Sequence, residues 1–167
     1  SITDYDSMVV YTHFKGHSMG GYGGSRKNIG IGCADGKVGK RMIHAKDGSQ
    51  WGRTQDEFME AMTESAKAVV DHFGKRITFI NGMKNMSVDC DCAGASAAAP
   101  ALADIGILGS TSLLAVDQAT IDMIYALPEN KDGGLRERIE SRHGLRQLSY
   151  MKELGMGTGE YKLVSLD

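Results

Sequence analysis

Apolar residues fall into short clusters along the chain, and each cluster has a recognisable period. Ser7 to Thr12 reads as a short buried strand, rich in β-branched and aromatic residues. Arg76 to Asn81 reads as a second strand. Between them Phe58, Met59, Met62, Ala66, Val69, Val70 and Phe73 recur on one face at helical spacing. Thr54-Gln55-Asp56-Glu57 supplies a capping box at the start of that helix, and Gly74 ends it. A strand, a helix and a strand in this order predict a right-handed crossover and a parallel pair.

The rest of the pattern is less regular. Lys27 to Cys33 reads as a short helix weakened by Gly30 and Gly32. Ala34 to Gly52 is polar and glycine-dotted and is expected to be a loop over the site. Met83 to Ala103 is a long connection, and Asp104 to Leu108 a further short strand. Helices are predicted over Ala115 to Leu127, closed by Pro128, and over Leu135 to Arg142 and Leu145 to Leu154. Tyr161 to Leu166 is expected to be a final strand. The sum is one α/β domain over residues 1–167: a mixed, mostly parallel sheet with flanking helices. Residue 1 is Ser and a strand pattern follows closely, so the chain reads as a piece of a longer protein.

Composition narrows the function. The net charge of −2 gives no bulk drive toward nucleic acid or an anionic membrane. No apolar run approaches the roughly 20 residues that span a bilayer. Three cysteines, two of them separated by one residue, fit a reducing, cytoplasmic setting better than a disulfide framework.

The chemistry concentrates just after the first strand. His13-Phe14-Lys15-Gly16-His17 leads into Ser18-Met19-Gly20-Gly21-Tyr22-Gly23-Gly24-Ser25-Arg26-Lys27-Asn28. Glycines let backbone N–H groups turn toward an anion, so Gly20, Gly21, Gly23, Gly24 and Asn28 form a candidate nest, with Lys27 as its charge. Lys15 and Arg26 add to that charge. His13 and His17 are candidate metal ligands or proton carriers, and capping or hydrogen-bonding roles are their alternative. Cys90 and Cys92 occupy alternate positions, so on an extended chain both thiolates point toward one soft metal; two buried, inert thiols are the alternative. Two thiolates do not complete an iron–sulfur cluster, which needs four ligands, with Cys33, His44, His13 or His17 as candidates for the rest. Asp117 reads as a helix cap. Gly155 to Gly159 follows a helix rather than a strand and reads as a C-cap and turn. His72 and His143 carry no assignment.

Several of these motifs in series resemble a known family. His13 to His17, the glycine run from Gly21 to Gly32, Cys90 to Gly94, Asp104 to Ser110, Ala115 to Ala119 and Gly155 to Tyr161 are similar to the uncharacterised bacterial and archaeal "iron–sulfur centre protein" family. That resemblance implies a further N-terminal segment and, in many members, a ferredoxin-like module inserted after the stretch matching Gly39 to His44. Here the chain runs straight into Lys46 to Trp51, so an iron–sulfur cluster is not expected in this chain alone. More distantly, His17, Lys27 and His44 resemble the signature of the nickel-pincer lactate racemase family. That likeness implies His17 as acid/base, Lys27 as cofactor tether and His44 as nickel ligand.

The leading expectation is therefore a domain that binds iron, nickel or zinc, or a metal-containing cofactor, at His13, His17, His44, Cys90 and Cys92. His17 would be its general base, and Lys27 would hold an anionic group. One rival is a metal-free phosphate or carboxylate binder. Another is a non-catalytic module that docks on the N-terminal segment or a ferredoxin-like partner and exposes an apolar patch to do so.

Overall fold

The computed structural model describes residues 2–46 and 51–166. Its sheet has three strands: β1 (Met8–His13), β4 (Ile77–Met83) and β5 (Gly106–Ser110), in the order β1-β4-β5. β1 and β4 are parallel, with Val10 opposite Phe79, as the strand–helix–strand reading requires. β5 is antiparallel to β4, so the sheet is mixed, with one pair of each kind. A separate antiparallel hairpin, β2 (Lys15–His17) and β3 (Gly21–Gly23), interrupts the crossover.

Among the described residues six α-helices accompany the strands: α1 (Ser25–Gly32), α2 (Gly39–His44), α3 (Gln55–Phe73), α4 (Leu113–Ala126), α5 (Leu135–Ser141) and α6 (Arg146–Glu153). α1 and α4 lie against the sheet, and α3 packs on α1 and α6. The expected capping box is formed: Thr54 accepts from the Glu57 amide while Glu57 accepts from the Thr54 amide. Gly74, at φ 57°, caps the other end of α3. Phe58, Met59, Met62, Ala66, Val69 and Phe73 are all buried.

Two expectations give way. The Ala34–Gly52 loop contains α2, a short helix that buries Ile43 and packs on α3; the expected loop residues 47–50 lie outside the described residues. Tyr161 to Leu166 is not a strand. Val164 and Leu166 are 65% and 96% exposed, and the segment pairs in neither of the two sheets.

The inner face of the sheet carries Val10, Ile77, Phe79 and Met83 into the main core. The outer face carries Val9, Tyr11 and Ile107, each more than 60% exposed, flanking half-buried Ile80. Parallel strands are normally covered on both faces, so this open face is an uncovered apolar surface. Among the described residues no helix is long and apolar enough to cross a membrane.

Candidate metal and anion site

The site lies at the carboxyl end of β1, the end where open α/β sheets place ligands. An open cleft of about 230 Å³ is walled by Tyr11, Thr12 and His13 from β1, Lys15 from β2, Gly23 from β3 and Gly24 just after it. Lys27 and Asn28 from α1, and Cys90 and Asp91 from the connection after β4, complete it.

The connection is pinned to the hairpin by backbone contact. The Gly16 amide donates to Ser87 O at 2.8 Å, and a Cβ on Gly16 would lie 2.1 Å from Val88 O. Only glycine permits that approach. Arg138, from α5, donates to Val88 O at 2.8 Å and to Asp89 at 2.7 Å. Buried Lys15 pairs with Asp91, which holds that carboxyl below its usual range. Cys90 and Cys92 are thereby carried to His17, and the three offer ligand atoms all within 4.8 Å of one another. That grouping could hold a metal ion.

His17 is buried, and its Nδ1 accepts from the Gly20 amide at 2.9 Å and the Met19 amide at 3.2 Å. Burial, and then the charges of Lys27, Arg138 and His44, push its pKa down to about 4. The ring is therefore neutral at pH 7. With Nδ1 used as an acceptor, its proton sits on Nε2. Coordination or general-base action through Nε2 requires the 18–20 turn to release Nδ1, which would then carry the proton. The Cys92 thiol is pushed up by burial and by Cys90, with Lys27 opposing.

The remaining expected residues are dispersed. His13 Nε2 donates to Lys84 O at 2.7 Å, and its ring lines the cleft outside the His17 grouping. His44 bonds Lys40 O through Nδ1 at 2.7 Å and packs against Trp51 and Phe58. Cys33 lies in a second pocket, with Ser65 and Phe73, and does not join the other thiols. Among the described residues Lys27 has no carboxylate within ion-pair distance, and its stem lies along Gly23.

The glycine run does more local work than a nest. Gly20 and its neighbours turn the hairpin and bond His17. Gly24 precedes α1, and the first amides of α1 are already taken: Ser25 and Arg26 donate to Asp117 at 2.9 and 3.0 Å. Asp117 is thus not the cap of its own helix: α4 begins at Leu113 and Ser112 caps it through the Ala115 amide, while the Asp117 carboxylate, inside α4, takes the first amides of α1. A polar chain extends from the cleft to that carboxylate. Asn28 donates to Thr12, Ser25 donates to Asn81, and Asn81 donates to Asp117 and Thr120, at 2.9, 2.7, 2.9 and 3.0 Å. Thr12 and Ser25 hydroxyls close the link at 3.3 Å; the Ser25 proton is spent on Asn81, so Thr12 donates. Arg26, expected to add charge to the nest, is instead fully buried, with its guanidinium donating to Gln147 and Thr63 at 2.9 and 3.0 Å, so it is turned into the core and not toward the cleft. Asn81, Gln147 and Arg138 carried no assignment from sequence. The available signal was a polar residue inside an apolar element, as with Asn81 in Ile77 to Met83.

A family model for a domain of unknown function, DUF362, matches residues 1–122. The chain belongs to that family. The matched span contains β1 to β5, the hairpin, the cysteine pair and Asp117, while Arg138 and Gln147 lie beyond it. No curated protein and no solved structure matches the chain.

Proposed function

We propose that this DUF362 domain binds a metal ion of the iron, nickel or zinc class through Cys90, Cys92 and His17, beside a cleft that receives a small anionic ligand. The convergence of two thiols and a neutral imidazole within 4.8 Å carries the reading. Soft sulfur with one nitrogen suits zinc, nickel or iron, and three protein ligands leave a position open for substrate or water. The iron–sulfur name of the resembling family fits this chain less well, because Cys33 is elsewhere and four cysteine ligands are not assembled. Lys27, with no carboxylate within ion-pair distance among the described residues, would hold a carboxylate or phosphate at the cleft. With a metal bound, redox chemistry or metal-assisted proton transfer next to a carbonyl is the chemistry that follows, with Lys27 holding the anionic group; His17 acts as general base only where it does not ligate the metal.

A specific observation favours a second, metal-free reading. With Nδ1 held by two amides, His17 presents Nε2–H, a donor suited to an anion rather than a metal. Lys27 and His17 would then grip a phosphate or carboxylate directly. The exposed Val9, Tyr11 and Ile107 on the open sheet face support the further view that the domain docks on an N-terminal segment or a ferredoxin-like module.

Metal analysis of anaerobically purified protein, with zinc, nickel and iron titrations of the apoprotein, separates these readings. Near-stoichiometric metal that falls in His17→Ala and in the Cys90→Ser/Cys92→Ser double variant supports the first. Absence of metal uptake, with phosphate or carboxylate binding that is lost in Lys27→Ala, supports the second.

A further inference from the structure

Cys90 and Cys92 also face one another as a dithiol. Their sulfurs lie within the same 4.8 Å grouping, and the Cys92 amide donates to Cys90 Sγ at 3.3 Å. Cys92 lies in the turn Asp91–Ser96, which buries none of its residues, and Cys90 caps that turn, so the pair adjusts without disturbing the core. Cys90 is half-buried and Cys92 exposed, so a small reagent reaches both. Cys33 sits in its own pocket and offers no competing partner.

We propose that Cys90 and Cys92 form a reversible disulfide across Asp91, and that this oxidised state excludes metal from the same sulfurs. The oxidant is a small disulfide of the glutathione class. One cysteine thiolate attacks it, forming a mixed disulfide and releasing one glutathione thiolate. The other cysteine then attacks the protein sulfur of that bond and releases the second glutathione. The protein gives up two electrons and two protons, and the oxidant becomes two thiols. A ring closed over a single intervening residue is strained, and both sulfurs are accessible, so the bond belongs to the labile class that reduces readily. The disulfide stands on the thiol geometry alone; its exclusion of metal rests on the metal reading above.

The test uses the whole chain carrying Cys33→Ser, stripped of metal and equilibrated in glutathione buffers of graded redox ratio. Intact mass, a free-thiol count and zinc titration are read at each ratio, and wild-type protein is mapped by peptide digestion in case the variant folds poorly. The expected result is loss of two hydrogens with no glutathione retained, recovery on reduction, and a loss of zinc affinity of about a hundredfold or more in the oxidised form. A persistent glutathione adduct, or two free thiols at every ratio, overturns the disulfide. Equal zinc affinity in both redox states overturns the exclusion. A disulfide in protein whose reduced form takes up no zinc sinks the metal reading together with the exclusion and leaves the disulfide standing.

Discussion

The Ser25 amide donates to Asp117 Oδ1 at 2.9 Å, joining the start of α1 to the middle of α4 across the core. Asp117 is fully buried, and each of its partners (Ser25, Arg26 and Asn81) is a donor, as a carboxylate requires. Burial pushes its pKa up while Asn81, Arg26 and the backbone amides oppose that shift. The carboxylate thus takes the place that an external anion would occupy at the α1 N-terminus.

Asp117→Ala is expected to leave the Ser25 and Arg26 backbone amides and an Asn81 N–H unpaired in the core. The loss should be about 2–4 kcal/mol, read from urea unfolding by circular dichroism. Gly24→Ala should act in the same direction, since its Cβ would lie 2.5 Å from Asp117 Oδ1. A loss below about 1 kcal/mol in Asp117→Ala would mean the carboxylate is not the keystone of α1.

Gly16→Ala tests the contact between the hairpin and the thiol-bearing connection. The new Cβ would meet Val88 O at 2.1 Å, and the carbonyl is backbone, so the connection must move. A stability loss of about 1–3 kcal/mol is expected, with a weaker zinc isotherm in the fraction that remains folded. Unchanged zinc affinity at full stability would show that the thiols are not held by this contact.

How far the sequence reveals such relationships depends on their range. α3 was legible because its capping box, apolar face and terminal glycine all lie within one segment. The parallel pair followed from element order. The cysteine pair was marked by its spacing, although a 3-10 turn at Asp91–Ser96 and not an extended chain brings the two sulfurs together, and His17 was marked by its place after the first strand. Contacts such as Lys15 with Asp91, Arg138 with Asp89 and Ser25 with Asp117 join distant segments, and no local pattern announces them. The glycine run illustrates the cost. Its composition reads as an anion nest, yet its amides bond His17 and an internal carboxylate. The Tyr161–Leu166 tail fails for a related reason: alternation describes a strand's face but does not supply the strand beside it.

His17 gives a pH dependence with a definite sign. Its folded pKa of about 4 lies below the unfolded value of 6.5. The unfolded ring therefore binds its proton first, and the folded state loses stability as pH falls from 6.5 through 4. The contribution is complete above 6.5 and on the order of 3 kcal/mol across that window. Urea midpoints measured between pH 4 and 7 should fall on acidification, and His17→Gln should flatten that part of the profile. The imidazole resonances should titrate near pH 4; titration near 6.5 would show a solvated ring and remove the burial argument.

Arg138→Ala is expected to weaken metal binding without touching a ligand. The guanidinium holds Val88 O and Asp89 on either side of the peptide leading to Cys90, and Asp89 is kept below its usual carboxylate range by that contact. Removing it frees the connection while leaving Cys90, Cys92 and His17 in place. Loss of such outer support typically costs about 10–100-fold in affinity. Both bonds leave one nitrogen, Nη1, so Arg138→Lys, whose ammonium also carries several donors on one atom but on a different stem, should recover part of the loss. Competition titrations with a chromophoric zinc chelator measure this, with Asp89→Ala as the matching half. If both variants bind zinc as the parent does while retaining its unfolding midpoint, the geometry of the thiols is set within residues 90–96 alone, and α5 is only a neighbour of the site.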